Sequence, residues 1–406
     1  PHAVRRLRET ARGKIAATLD ENLQKQTEAI LSKYVKDNAG RGIFNAAAIL
    51  VDYKTAEVLA AVGSADFFNE KIDGQVDGTA ALRSPGSALK PFIYALALDQ
   101  GLIHPRTMLK DVPKNYGLYT PENFDRSFYG LVNATQALVY SRNIPAVDLL
   151  LRLEENSFYQ MLEKAGVKKL KTPGYYGLAL ALGGAEVSAQ DLAALYAMLG
   201  NGGKFRPLRW RKDEPQLPET AMLSPEAAFL TLDMLSYNAP VDRRRLPFAK
   251  RSGTPYKVYW KTGTSYGYKD AWAAGLFGDF VLVVWVGNFD GTPNPAFTGR
   301  EAAAPLFFRL VRQIAAGRGI AGDSIRPDGL NLSQADICAA TGDLADAYCP
   351  QTVKSYFIPG VTRIKLSGVS RRIPIEVASG LRRRPPGWKP MISGPRMCCR
   401  LLPVPA

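Results

Sequence analysis

Ser87 and Lys90 stand three positions apart in Arg83-Ser-Pro-Gly-Ser-Ala-Leu-Lys-Pro-Phe-Ile-Tyr94, and Lys261-Thr-Gly-Thr264 lies far downstream between two strand-like runs. A serine hydroxyl is a weak nucleophile until a base takes its proton. A lysine three residues further along a helix projects from the same face, within hydrogen-bond reach. The pair therefore reads as an activated nucleophile for acyl transfer. By chance a Ser-x-x-Lys turns up about once or twice in a chain of this length, so its surroundings matter. Ser87 opens an apolar run with Pro91 near its start and Gly101 at its end, which predicts a buried helix with the serine at its N-terminus. Orphan N–H groups there favour developing negative charge. The plainer alternative is that Ser84 or Ser87 only caps the helix and Lys90 is a solvated first-turn residue.

Only two histidines are present, His2 and His104, which leaves no Ser-His-Asp triad and no histidine-rich metal site, so lysine is the expected base. With 406 residues, 46% of them hydrophobic, the chain is long enough for one large domain and a smaller appendage. No stretch approaches the roughly 18 apolar residues of a membrane span. The basic opening Pro1 to Arg12 lacks the apolar segment of a signal peptide. The chain as given is therefore expected to be soluble, with any export or anchoring segment outside it. Cys338 and Cys349 are open to two readings, a disulfide loop in an oxidising compartment or two free thiols. Cys398 and Cys399 are adjacent and receive no role. Of the net charge of +15, the larger part lies after Val361, where ten Lys and Arg face the single Glu376. That region is proline-rich with Trp388 as its one aromatic beyond Phe357, so it reads as a solvated tail and not as a nucleic-acid surface.

Residues 4 to 37 have helical periodicity, with Leu7, Ile15, Leu19, Leu23, Ile30, Leu31 and Tyr34 on one face, and read as one connecting helix. Phe44 to Tyr53 and Glu57 to Gly63 read as a strand, a tight turn at Lys54-Thr55 and a returning strand. Helical patterns fill Ser87 to Gly203. Strands return at 256–261, 270–278 and 280–287 as an antiparallel meander, and Arg300 to Ala316 closes as a helix. Strands at both ends of the domain must then pair across a long helical insertion, which predicts an α+β fold.

A third element, Ser141-Arg-Asn143, completes an ordered set with Ser87-x-x-Lys90 and Lys261-Thr-Gly-Thr264 that resembles the penicillin-binding transpeptidases. The stretches Arg83 to Phe92, Pro121-Glu-Asn-Phe-Asp125 and Leu182-Gly-Gly-Ala-Glu-Val-Ser188 resemble the bifunctional class A enzymes, and within them the 1C group, from about Asn22 to Gly360. The resemblance implies a β-lactamase/transpeptidase-like fold: an antiparallel sheet flanked by helices, with a mostly helical insertion and a small C-terminal appendage. It implies a serine D-Ala-D-Ala transpeptidase that joins peptidoglycan stem peptides and binds β-lactams covalently, with no metal and no cofactor. Ser87 would be the nucleophile and Lys90 its base. Ser141 would relay a proton to the leaving amine, and Asn143 would hold Lys90 and the substrate amide. Lys261 would begin an edge strand, Thr262 and Thr264 would bind the substrate carboxylate, and Gly263 would leave room for the substrate.

The readings kept beside this one are a lactam-binding sensor or scaffold and a D,D-carboxypeptidase. A β-lactamase glutamate has no counterpart, since Glu154, Glu155 and Glu186 read as helix-surface residues. Ser236-Tyr-Asn238 repeats the Ser-x-Asn spacing and reads as a loop coincidence. By resemblance the chain divides into a connector (1–42), a transpeptidase domain (43–320), a partial C-terminal domain (321–361) with Cys338 and Cys349 in place, and a basic disordered tail (362–406). The glycosyltransferase domain and inner-membrane anchor of the class would precede this sequence, placing the protein in the periplasm, where other cell-wall synthesis proteins are possible partners.

Overall fold

The periodic N-terminal stretch folds as two helices, α1 (His2–Thr10) and α2 (Glu21–Asn38), and not as the single helix expected over 4–37. The cause is local. Gly13 takes φ +82°, Ala17 bridges to Arg211, and the Asp20 carboxylate caps α2 by accepting from the Leu23 N–H at 3.0 Å. Ile15 and Leu19 still pack on the core from this link. The structure, a computed structural model, describes residues 1–10, 12–117, 119–238, 256–322 and 328–368. The basic tail from 369 onward, with Cys398 and Cys399, lies outside the described residues.

β1 (Asn45–Asp52) turns into β2 (Glu57–Val62). The insertion then runs through α3 (Lys90–Asp99), a short ladder of β3 (Met108–Asp111) with β4 (Gly130–Asn133), α4 (Ala134–Val139), α5 (Asn143–Arg152), α6 (Ser157–Lys164) and the one-turn α7 (Pro173–Tyr176). It ends with α8 (Ala189–Gly200), the two-residue pair β5 (Lys204–Phe205) and β6 (Thr220–Ala221), and α9 (Pro225–Ser236). Strands return as β7 (Tyr259–Thr264), β8 (Asp270–Phe277) and β9 (Phe280–Gly287), followed by α10 (Ala304–Arg318). The first of these is shifted three residues from the expected 256–261, because Lys261-Thr-Gly-Thr264 pairs with β8, Thr264 opposite Ala271.

The central sheet is antiparallel in the order β2-β1-β9-β8-β7. Its closure is the pairing of β1 with β9, from Asn45 opposite Gly287 to Asp52 opposite Phe280, across the whole insertion. Helices cover both faces, so β8 and β9 are continuous hydrophobic runs. Period-two alternation sorts them: Val281, Val283 and Trp285 join the core shared with α3, α8 and α9, while Leu282, Val284 and Val286 join the core under α2 and α10. The same parity along β7 sends Trp260 to the α10 side and Tyr259 to the insertion side, and Lys261 follows Tyr259.

After α10, β10 (Ser333–Cys338) and β11 (Thr352–Phe357) form a separate two-stranded unit. It docks on the segment that follows α3: the Arg363 N–H donates to the Gly101 carbonyl at 3.1 Å, and the buried His104 donates from Nε2 to the Gly342 carbonyl at 2.9 Å. Phe229 of α9 meets Tyr356 edge-on at 6.1 Å. Cys338 is buried and Cys349 half-buried, and both are free thiols in this structure.

Candidate active site

Ser87 lies half-buried in a 3₁₀ turn, Gly86–Leu89, that leads into α3, so the helix proper begins at Lys90 and not at the serine. The turn is wedged between two backbones. A Cβ on Gly86, whose φ is +51°, would lie 2.2 Å from the Thr264 carbonyl oxygen, and one on Gly183 would lie 2.4 Å from the Gly86 nitrogen. Ser84 holds the wedge on both sides. Its hydroxyl donates to the Gly183 carbonyl at 2.9 Å and its carbonyl accepts from Trp272 Nε1 at 2.9 Å.

Lys90 is fully buried, and its Nζ donates to the carbonyls of Ser141 (2.7 Å) and Arg142 (3.1 Å) and to Asn143 Oδ1 (2.6 Å). Burial, then the positive charges of Lys261 and Arg142, hold its pKa well below the usual lysine value. Among the described residues no hydrogen bond joins Ser87 Oγ to Lys90, contrary to the sequence expectation. An ammonium has three protons to place, and three acceptors on one loop take them all.

That loop is the joint between α4 and α5. Asn133 and Gln136 form a capping box on α4, and the chain leaves it through Ser141 at φ +61°, a left-handed conformation uncommon outside glycine. Ser141 Oγ accepts from Lys261 Nζ at 2.7 Å, and Lys261 also donates to the Thr262 carbonyl at 3.0 Å. Lys261 is buried too, and burial, with Arg300 nearby, lowers its pKa to about 7. It is the third residue of the edge strand β7 and not its first.

Ser265 N donates to the Asp270 carbonyl, so alternation along β7 turns the Thr264 N–H away from β8, toward the free edge beside the Ser87 turn. The Thr262 and Thr264 side chains lie on the α10 side. Thr264 Oγ1 accepts from the Gly299 N–H at 2.9 Å, and Thr262 packs over Gly299. Gly263 leaves room for a different neighbour than the sequence suggested: an added Cβ would lie 2.1 Å from the Pro85 carbonyl oxygen, so the glycine lets β7 touch the Ser87 turn.

The other candidates lie elsewhere. Ser236 caps inward onto the Asp233 carbonyl, and Asn238 exchanges two hydrogen bonds with Trp260. Glu154, Glu155 and Glu186 are exposed in loops, not on helices. Sequence reasoning missed a buried network behind the loop, in which Arg142, Asp111 and Asn123 hold one another. Arg142 was visible as the middle residue of Ser141-Arg-Asn143, and Asn123 sat in the Pro121 to Asp125 stretch. Nothing local marked Asp111.

An antiparallel sheet interrupted by a helical insertion, with a serine and two buried lysines at their junction, defines the transpeptidase class of fold. A profile of the penicillin-binding protein transpeptidase domain matches residues 46–311, and one of the penicillin-binding protein 1A C-terminal domain matches 327–362. The chain belongs to the penicillin-binding protein transpeptidase family. It is 35% identical to penicillin-binding protein 1C of Escherichia coli K12 over 86% of its own length and 44% of that protein. It is 30% identical to a penicillin-binding protein 1A of Clostridium botulinum over 68% of this chain and 36% of that one. The chain thus spans less than half the length of these relatives. The fold is shared with penicillin-binding protein 1A of Haemophilus influenzae (TM-score 0.66, 22% identity, 79% of this chain and 54% of that one). It is shared too with PonA1 of Mycobacterium tuberculosis, solved in complex with penicillin V (TM-score 0.64, 20% identity, 79% and 90%).

Proposed function

We propose that this chain is the D,D-transpeptidase portion of a peptidoglycan synthase, acting through a serine acyl-enzyme and acylated by β-lactams. The observation that carries this reading is the fully buried Lys90 amine, one turn from Ser87, beside a second buried amine at Lys261. As a neutral amine Lys90 has two protons, so one of its three contacts is released and a lone pair becomes available for the Ser87 proton. Ser87 Oγ attacks the carbonyl carbon of the penultimate D-alanine. The oxyanion falls between the N–H groups of Ser87, unpaired at the start of its turn, and Thr264.

When the carbon–nitrogen bond breaks, Ser141, held by Lys261, passes its proton to the departing D-alanine amine and regains one from Lys90, which gives up the proton taken from Ser87. The amine of a second stem peptide then attacks the ester, loses a proton to the again neutral Lys90, and the ester bond breaks as Ser87 Oγ takes that proton back. The extended substrate lies along the free edge of β7. Thr264, accepting from Gly299, keeps its own O–H for the terminal carboxylate, with Thr262 beside it. Asn143 Nδ2 already donates to the Glu122 carbonyl at 2.6 Å, which fixes the amide that faces Lys90. This reading puts the chemistry in the periplasm, at the outer face of the inner membrane. Among the described residues no helix is long and apolar enough to cross a membrane.

Labelling with a fluorescent penicillin, followed by assay of stem-peptide joining, tests the reading. The protein is expected to label and Ser87→Ala to lose all label. Absence of labelling in the folded wild type rules the reading out. Labelling without joining selects the sensor or scaffold, and release of D-alanine without joining selects the carboxypeptidase.

A further inference from the structure

We propose that Arg142 is a positioning residue of the acyl-transfer site, whose buried guanidinium, locked among three acceptors, fixes the Ser141 hydroxyl and the Asn143 amide against the two lysines. The inference rests on the function proposed above and assigns part of its machinery to a side chain that faces away from the substrate edge.

The Arg142 side chain is 4% exposed and spends its donors on two segments, the end of β3 and the loop that carries Asp125 and Ser127. Nε donates to Asp111 Oδ2 at 2.7 Å, Nη1 to Asp125 Oδ2 at 2.9 Å, and Nη2 to the Ser127 carbonyl. The Tyr129 ring lies 4.1 Å from its Cζ. Asp111, at the end of β3, is fully buried and takes two further bonds, from Asn123 Nδ2 (2.7 Å) and the Tyr129 N–H (3.0 Å). Asn123 Oδ1 in turn accepts the Asn143 N–H at 2.7 Å. The network therefore returns to the peptide next to the one it started from.

The geometry of that peptide decides the chemistry. Lys90 is bound by the carbonyl before Arg142, the carbonyl of Arg142 and the side chain after it, while Lys261 is bound by the Ser141 hydroxyl. Ser141 is held at a left-handed φ that the chain does not choose by itself. A planar fork gripping three acceptors on two segments sets the rotation of this stretch in a way that a single point charge does not. The guanidinium is also one of the charges that keep Lys90 toward its neutral form, with Lys261; Asp111 opposes them.

The experiment measures the acylation rate with a fluorescent penicillin from about pH 6 to 10, together with thermal unfolding, for wild type, Arg142→Lys, Arg142→Gln and Asp125→Asn. Arg142→Gln is expected to slow acylation about a hundredfold, as a misplaced reacting group does. Its rise in rate with pH should move up by about one unit, because a cation near Lys90 is gone and Asp111 is left unopposed. Arg142→Lys keeps the charge without the fork, so it should restore the pH profile while remaining about tenfold slow. Asp125→Asn removes one outer arm and should stay folded with a smaller loss, which keeps the test decisive if Arg142→Gln does not fold. Acylation by the folded variants within about twofold of wild type, with an unmoved pH profile, overturns the proposal. So does a loss that merely tracks the unfolded fraction. If the wild type is not labelled at Ser87, the proposed function itself fails and takes this inference with it.

Discussion

At the scale of single residues, the unusual feature is two buried lysines with no carboxylate among the described residues accepting from either amine. Lys261 shows what this does to stability. Its folded pKa is about 7 against 10.5 for a free lysine, through burial first and Arg300 second. Between those values the unfolded chain binds the extra proton and the folded protein does not, so this group makes stability rise with pH across that window. Below about pH 7 the charged amine is buried and the penalty is complete. Lys261→Met, of similar length, should therefore be more stable than wild type, on the order of a few kcal/mol at pH 6 and progressively less toward pH 10. Denaturant melts of the two proteins across that range check this, and a difference that stays constant with pH would sink it. Tyr94 and Tyr196, whose pKa values burial raises, titrate in both proteins and cancel.

Elements enter where the Ser87 turn meets the end of β7. The contact is backbone on backbone, through Gly86 against Thr264 and Gly263 against Pro85, so neither glycine tolerates a methyl. Gly263→Ala is expected to lose about 1–3 kcal/mol of stability through overpacking. Because the clash separates nucleophile from strand edge, acylation should fall about a hundredfold, out of proportion to the stability change. Gly40→Ala, with open space around its Cβ, serves as the control, and equal acylation rates in Gly263→Ala and Gly40→Ala would refute the argument. The same contact shows what was legible in the sequence. That Ser87, Lys90 and Lys261 come together was readable because acyl-transfer chemistry calls for particular side-chain types at particular spacings, and β1, β8 and β9 were readable because their hydrophobic runs are long. What Gly263 makes room for was not readable, since it depends on a neighbour far away in the chain. The break between α1 and α2 was also missed, since hydrophobic periodicity continued through Ile15 and Leu19 while Asp20 was restarting the helix. Asp111 was invisible for a further reason: its ion pair with Arg142 is formed only after β3 and the α4–α5 joint pack together.

Across the whole molecule, the two-stranded unit of β10 and β11 clasps the segment that links the helix bearing Lys90 to the strand ending in Asp111. His104 is the pin of this clasp, with its Nε2 on the Gly342 carbonyl and its Nδ1 accepting from the Arg106 N–H at 3.3 Å with Ser355 Oγ nearby. That arrangement needs the neutral ring. Burial lowers the His104 pKa from 6.5, partly opposed by its bond to Gly342 and the charge of Asp343. Below about pH 6.5 the undocked state therefore binds more protons than the docked one, and docking weakens as the pH falls toward the lowered pKa. Hydrogen exchange in β10 and β11, corrected for the intrinsic rate, should show protection falling between about pH 7.5 and 5 in the wild type and little change in His104→Gln. Gly342→Ala supplies the same undocking at any pH, because a Cβ there lies 2.7 Å from the Arg106 carbonyl and the Met108 nitrogen. β3 runs from Met108 to Asp111, so a loosened clasp reaches the Arg142 network, and acylation in Gly342→Ala should slow by about threefold to tenfold, less than in Arg142→Gln. An unchanged acylation rate in a protein whose β10–β11 amides have lost protection would show that the clasp and the acyl-transfer site are independent.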